Sequence, residues 1–199
     1  STPDVSSAAS DVYERQLLTP SAIDPAHPFP FIANQGRALV MRLNKKNKKR
    51  TLNAIIVIPK ALSRFIEIDG NKSFKKFLII DDVISFFASE IFPDHDLDKK
   101  MLFRVIRDSD VEIQEEAEDL VRSFELALKR RRTGDIVRLE ILKNSNNDLI
   151  KFITNKLNVK SEYIYEIEGI VGIRDIDQVC KIKNSKLRFK NFNPREVER

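Results

Sequence analysis

The chain's 199 residues suffice for one domain with a buried core or for two small ones, and we read them as one domain. The 35 Lys and Arg residues against 30 Asp and Glu residues give a net charge of +5, which favours polyanionic partners without identifying one. One cysteine excludes an internal disulfide framework, two histidines far apart in sequence argue against a zinc site, and no apolar run approaches the roughly 18 residues of a membrane-spanning helix. We therefore expect a cytoplasmic protein without a transmembrane segment.

The first 32 residues divide into a tail and a proline-rich segment. Residues 1–12 are rich in Ser and Ala without apolar periodicity, which predicts a loose tail. In residues 18–32, four prolines exclude a regular helix or a central strand and favour an extended chain. The apolar side chains of this segment still need burial, against the body of the domain or a neighbouring subunit. His27 lies among these prolines, and we interpret it as a packing or hydrogen-bonding residue.

Two adjacent strands are predicted next, joined by a basic connection. Leu39, Met41 and Leu43 alternate with other residues, and residues 52–58 are almost all apolar, which indicates a second strand buried on both faces. The connection contains five cations that can neutralise a phosphate chain: Lys45, Lys46, Lys48, Lys49 and Arg50. A solvated turn explains the same residues, and we favour that interpretation.

Further strands are predicted at residues 64–68 and 77–80, followed by a helix. Asp81 is the predicted N-cap of this helix, whose apolar residues run from Val83 to Phe92 and which ends at Pro93. His95 follows the proline, and we expect it in a solvated loop.

Residues 103–141 predict a strand, a helix and a second strand. Between strands at 103–106 and 136–141, the apolar residues of 117–128 fall on one stripe of a helix, and Gly134 supplies a left-handed stop. Arg130, Arg131 and Arg132 at the end of this helix complement its dipole, or else form one wall of a polyanion path. Asp108, Asp110 and Glu112 resemble a metal-binding carboxylate cluster, but acids at such a joint are more often caps and turn residues.

The remaining residues predict a turn and cap at 144–147, a helix through Leu149, Ile153 and Leu157, and a last strand at 163–167. Strands joined by both hairpins and helices indicate an α+β fold, with a mixed β-sheet and packed helices in a single domain. The pattern identifies no catalytic residue, no cofactor site and no metal ligand, and no glycine-rich phosphate loop occurs.

Three motifs in order resemble a known family. They are similar to motifs of the middle, or head, domain of type-1 polyphosphate kinases. The first motif is LTPSAIDPAHPFPFI at residues 18–32, and the second is RFIEI with FLIIDDVI at 64–84. The third consists of FRVIRDSDVEI, EEAEDLV and LKRRRTGDIVRLEI between residues 103 and 141. The resemblance covers roughly residues 13–199. It implies a head domain at residues 13–180, and at 181–199 the start of a junction to the catalytic half.

The resemblance implies that the intact enzyme transfers the terminal phosphate of ATP to polyphosphate. This reaction uses magnesium and a phosphohistidine of the C-terminal half, in a homo-oligomer. Because the N-terminal domain and the catalytic half are absent from this sequence, we expect the chain alone to be inactive. The alternatives are a self-association module acting through residues 18–32, a stand-alone polyanion-binding module, and the remnant of a truncated gene.

Overall fold

The structure is a computed structural model, and it describes residues 18, 20–24, 28–46, 50–71, 74–108 and 134–181. The strands are β1 (Pro20–Ile23), β2 (Arg37–Lys45), β3 (Thr51–Ile58), β4 (Phe65–Asn71), β5 (Phe74–Ile79), β6 (His95–Arg107), β7 (Ile136–Leu142) and β8 (Ile164–Ile167). The helices are α1 (Ile80–Phe86), α2 (Ala88–Ile91), α3 (Asn147–Leu157) and α4 (Asp177–Cys180), with 3-10 turns at Ser161–Tyr163 and Ile173–Ile176. The predicted helix at 117–128 lies outside the described residues.

Six strands form one sheet in the order β1-β3-β2-β6-β7-β8, and β4 and β5 form a separate hairpin. Every neighbouring pair in the large sheet is antiparallel except β7 and β8, which are parallel. Parallel neighbours need a crossover connection, and α3 provides it. The predicted α+β fold with a mixed sheet is confirmed.

The sheet buries apolar side chains on both faces, because strand side chains alternate in direction. Val40 and Phe103 belong to the core on one face, which α3 covers with Leu149 and Ile153. On the other face, Leu39, Met41, Leu43, Ala54 and Ile56 pack with Ile84 of α1 and Ala88 of α2. Strand β2 is therefore buried on both faces, which was predicted only for the strand that follows it, and residues 38–41 are at most 2% exposed.

Helix α3 begins and ends where the sequence predicted. The Asn146 side chain accepts hydrogen bonds from the backbone N–H groups of Asp148 (3.1 Å) and Leu149 (3.4 Å), which satisfies two donors of the first turn. Asn158 ends the helix in the left-handed conformation, at φ 52°. The helix is thereby fixed at the end of β7.

Three predictions for α1 and the residues that follow it are wrong. Asp81 is not a cap, because α1 begins at Ile80 without a side-chain cap hydrogen bond, and Asp81 is buried inside the helix. The predicted single helix is two short ones, and Phe86 at its break is 79% exposed instead of facing the core. His95 is not in a loop, since it begins β6 opposite Lys45.

The proline-rich segment lies across the body of the chain. Its residues 20–23 form β1, the edge strand paired with β3, which agrees with the exclusion of a central strand. Ile32 is fully buried, whereas Phe31 is exposed beneath the guanidinium of Arg107. No helix in the described part of the chain is long and apolar enough to span a membrane.

Candidate polyanion-binding surface

The predicted basic connection is the tip of the β2–β3 hairpin. Lys45 ends β2, Lys46 follows it, Arg50 precedes β3, and all three side chains are exposed. The backbone N–H of Lys45 donates to the carbonyl oxygen of Arg50 at 2.9 Å and closes the hairpin. Lys48, Lys49 and residues 130–132 lie outside the described residues.

The described cations of this tip are already engaged in part. The Lys46 ammonium donates to the carbonyl oxygen of Pro93 at 3.0 Å and lies 3.9 Å from a carboxylate oxygen of Asp96. Both side chains of this ion pair are mostly exposed, so the attraction between them is weak and a phosphate can compete with it. The three described cations of the tip are thus exposed to solvent.

A second basic group, which the sequence analysis missed, lines a cleft beside α1. Lys99 and Lys100 of β6 and Lys143 after β7 border this cleft together with Asp81 and Asp82 of α1, and its volume is about 390 Å³. The Lys100 ammonium donates to Ser85 Oγ at 2.5 Å, whereas Lys143 contacts Glu168 at 3.1 Å through an exposed ion pair. The three lysines come together only through the pairing of β6 with β7, so no local motif identifies them.

Lys99 also shapes the electrostatics at the start of α3. Asp148 accepts hydrogen bonds from Lys99 (3.2 Å) and Arg42 (3.3 Å). The hydrogen bond and charge of Lys99, followed by those of Arg42, lower the pKa of the Asp148 carboxyl. Asp148 thus remains ionised and stabilises the first turn of α3, where the helix dipole favours negative charge.

A buried ionic cluster lies on the same side of the sheet as α1. Asp81, 3% exposed, accepts hydrogen bonds from Arg37 and Arg64, and Arg37 Nε lies 3.5 Å from Asp175. Burial lowers the pKa of Arg37, and the adjacent Asp81 carboxylate opposes this shift. The two positive and two negative groups balance one another, so both guanidinium groups of this cluster are already paired and neither is free to bind a ligand.

The carboxylates predicted at the joint after β6 fall mostly outside the described residues. Of the predicted carboxylate cluster, only Asp108 is described, and its backbone N–H donates to the carbonyl oxygen of Asp135 at 2.8 Å. In the part of the chain that the structure describes, no three His, Cys, Asp or Glu side chains converge to hold a metal ion. His27 lies outside the described residues.

Comparisons with known proteins agree with this architecture. A family model described as the polyphosphate kinase middle domain matches residues 9–179. The chain is 39% identical over 183 residues to a polyphosphate kinase of Erythrobacter litoralis, covering 92% of this chain and 25% of that protein. It is 32% identical over 186 residues to one of Prosthecochloris aestuarii, covering 89% and 26%.

A solved structure extends the agreement to the fold. The structure of polyphosphate kinase from Porphyromonas gingivalis superposes with a TM-score of 0.66 at 17% identity, over 100% of this chain and 28% of that chain. The chain thus spans about a quarter of the length of the curated relatives it matches.

Proposed function

The chain belongs to the polyphosphate kinase family as its middle domain, and from this premise we propose that it serves an enzyme that extends polyphosphate with the terminal phosphate of ATP. The observation that supports this most strongly is the family match over residues 9–179. We place the domain itself at residues 13–180, between a tail at 1–12 and a junction at 181–199. In this proposal, ATP, magnesium and the phosphate-accepting histidine belong to the remaining domains, and the protein acts in the cytoplasm.

A direct test is whether the isolated chain catalyses polyphosphate synthesis. The purified chain, given ATP, magnesium and a polyphosphate primer, should not lengthen the primer. The complete Erythrobacter litoralis enzyme serves as the positive control. Synthesis by the isolated chain that is abolished by His27→Ala would place the chemistry in this domain and refute the proposal.

The middle domain itself contributes a basic surface to the path of the polyphosphate. The hairpin tip and the cleft lysines lie along the same strand, because Lys45 pairs with His95 and Lys100 follows His95 by five residues. At about 3.3 Å per residue, the two groups are separated by roughly 17 Å along β6. A linear polyanion can span this distance and contact both groups, whereas a compact anion cannot.

Titration with polyphosphate at low and moderate salt tests the basic surface. Each phosphate contact that is lost removes released counterions, so the affinity should fall and its salt dependence should flatten. We expect both effects when Lys99, Lys100 and Lys143 are changed to Gln, and again when the five cations of the tip are changed. Lys75, Lys156 and Lys160 changed to Gln form a control for the cleft variant, because they remove the same three charges at exposed positions elsewhere. Equal effects in the control would reduce the binding to net charge.

We expect the isolated domain to bind weakly, with an affinity that fades near physiological salt. The described cations of the tip and the cleft lie on open surfaces, so water is not excluded around a bound phosphate chain. Tight, salt-resistant binding would require an enclosed site and would contradict the open surface proposed here.

We also propose that the domain contributes to subunit association through an apolar groove. The groove, about 860 Å³ in volume, is lined by Leu18, Pro20, Ile66, Val83 and Phe87 among others. Phe87 is 43% exposed, and an exposed concave apolar surface is typical of an interface. Sedimentation of the chain should reveal an oligomer that Phe87→Glu dissociates and Ile173→Glu, at an exposed position outside the groove, does not.

A further inference from the structure

Arg64 is a fully buried arginine whose guanidinium joins two distant parts of the chain. It lies just before β4, and its Nε donates to Asp81 at 3.1 Å. Its other nitrogens donate to the carbonyl oxygens of Val171 (2.5 Å) and Gly172 (2.7 Å) and to the carboxylate of Asp175 (3.1 Å). At 1% exposure, the side chain is held entirely by these partners.

Gln178 makes a second connection at the same place. Its side-chain oxygen accepts from the backbone N–H of Arg64 at 2.9 Å and from that of Phe65 at 3.2 Å. The segment 171–180, which consists of a 3-10 turn and α4, is therefore attached to the start of β4 at several points.

The segment is attached mainly by polar groups. Val171 is buried, but Ile173 is 61% exposed and Ile176 is 38% exposed, so two of its larger apolar side chains face solvent. The segment therefore buries little apolar surface against the domain, although apolar burial is the usual driving force for such packing. The hydrogen bonds of Arg64 and Gln178 take its place.

Two glycines control the entry to the segment. Gly169 has φ +91° and no atom within 4 Å of the position of a Cβ, so the backbone can turn freely there. Gly172 has φ +70°, and a Cβ there would approach Arg104 Cδ to 2.9 Å and Arg64 to 3.3 Å. The segment is thus tightly packed at Gly172, whereas Gly169 has open space around the position of a Cβ.

We infer that Arg64, Asp175 and Gln178 form a polar latch that docks the segment 171–180 on the domain, and that the segment detaches as a unit, turning at Gly169, when the latch is broken. Docking itself follows from the contacts within this chain and does not depend on polyphosphate binding.

Hydrogen exchange of the whole chain, read by mass spectrometry, tests the latch. The double variant Asp175→Asn, Gln178→Ala removes one carboxylate and one acceptor while leaving the pairs of Asp81 intact. Exchange in the segment should rise at least tenfold, because local opening governs it, while exchange in β2 and β6 stays unchanged. Glu168→Gln, which removes a carboxylate just before Gly169, should leave exchange in the segment at the level of the unmodified chain.

Two outcomes would overturn the latch. Unchanged exchange in the segment would mean that other contacts hold it. A parallel increase in β2 and β6 would mean that the segment opens only with the whole sheet and does not detach by itself. Arg64→Lys separates charge from geometry, since lysine keeps the charge but cannot reach four partners at once, and it should also raise exchange in the segment.

Discussion

Asp81→Asn tests the buried ionic cluster most directly, because the substitution removes a charge while keeping the size of the side chain. Asp81 is 3% exposed, and it is the shared partner of Arg37 and Arg64, whose side chains are 8% and 1% exposed. Removing one member of a buried ion pair typically costs about 3–5 kcal/mol, because the remaining charge is left uncompensated. Both arginines keep a contact with Asp175, so we expect the lower end, about 3 kcal/mol.

Urea unfolding measures this loss. With a slope of about 1–3 kcal/mol per molar, the midpoint should fall by about 1–3 M. Asp82→Asn is the matched control, since Asp82 is the next residue of α1 and also lies in its first turn, but is exposed. The difference between the two losses excludes the part that comes from the interaction of a carboxylate with the helix dipole, because both variants lose that interaction. A difference below about 1 kcal/mol between the two variants would refute the claim that Asp81 compensates the buried charges of Arg37 and Arg64.

Three further predictions concern other parts of the domain. Phe103→Ala should cost about 3–5 kcal/mol in the same assay, because Phe103 is fully buried in the core beneath α3, and a smaller loss than for Phe86→Ala, at an exposed position, would contradict this. The pKa of the Asp148 carboxyl is lower in the folded state than in the unfolded state. The ionised carboxylate therefore stabilises the fold above the unfolded-state pKa of about 3.9, and this stabilisation disappears as the pH falls through the folded-state pKa. Asp148→Asn should remove this part of the pH dependence of acid unfolding. Gly172→Ala should be more destabilising than Gly169→Ala in thermal unfolding, since both have positive φ but only Gly172 lacks space for a Cβ.

The strands were predictable because their information is local. The alternation around Leu39 and Met41 and the apolar run of β3 both predict strands with buried side chains. In the structure, β2 and β3 pair with each other inside the sheet, and neither is an edge strand. The cap and helix after residue 146 were equally predictable, since an Asn followed by apolar residues at helical spacing needs no distant partner.

The ionic cluster and the cleft lysines were not predictable, because their members are distant in sequence. Arg37 and Asp81 are 44 residues apart, and Arg64 and Gly172 are 108 apart, so no short pattern connects them. Asp81 resembled a cap because it precedes apolar residues near the start of a helix. Pairing with two buried arginines determined its position instead, which is a tertiary effect that overrides local preference.

The cations of the domain fall into two groups with different physical roles. Arg37 and Arg64 are buried, Arg104 is partly buried, and all three pair with carboxylates, a use to which the planar fork of the guanidinium is suited. The lysines of the tip and the cleft are at least one-third exposed where the structure describes an ion pair, and their partners are exposed as well. A polyanion can exchange places with such partners at little cost, whereas displacing a carboxylate from the buried arginines would disrupt the fold. Polyphosphate binding should therefore depend on the surface lysines, and stability on the buried arginines, so that substitutions in the two groups affect different measurements.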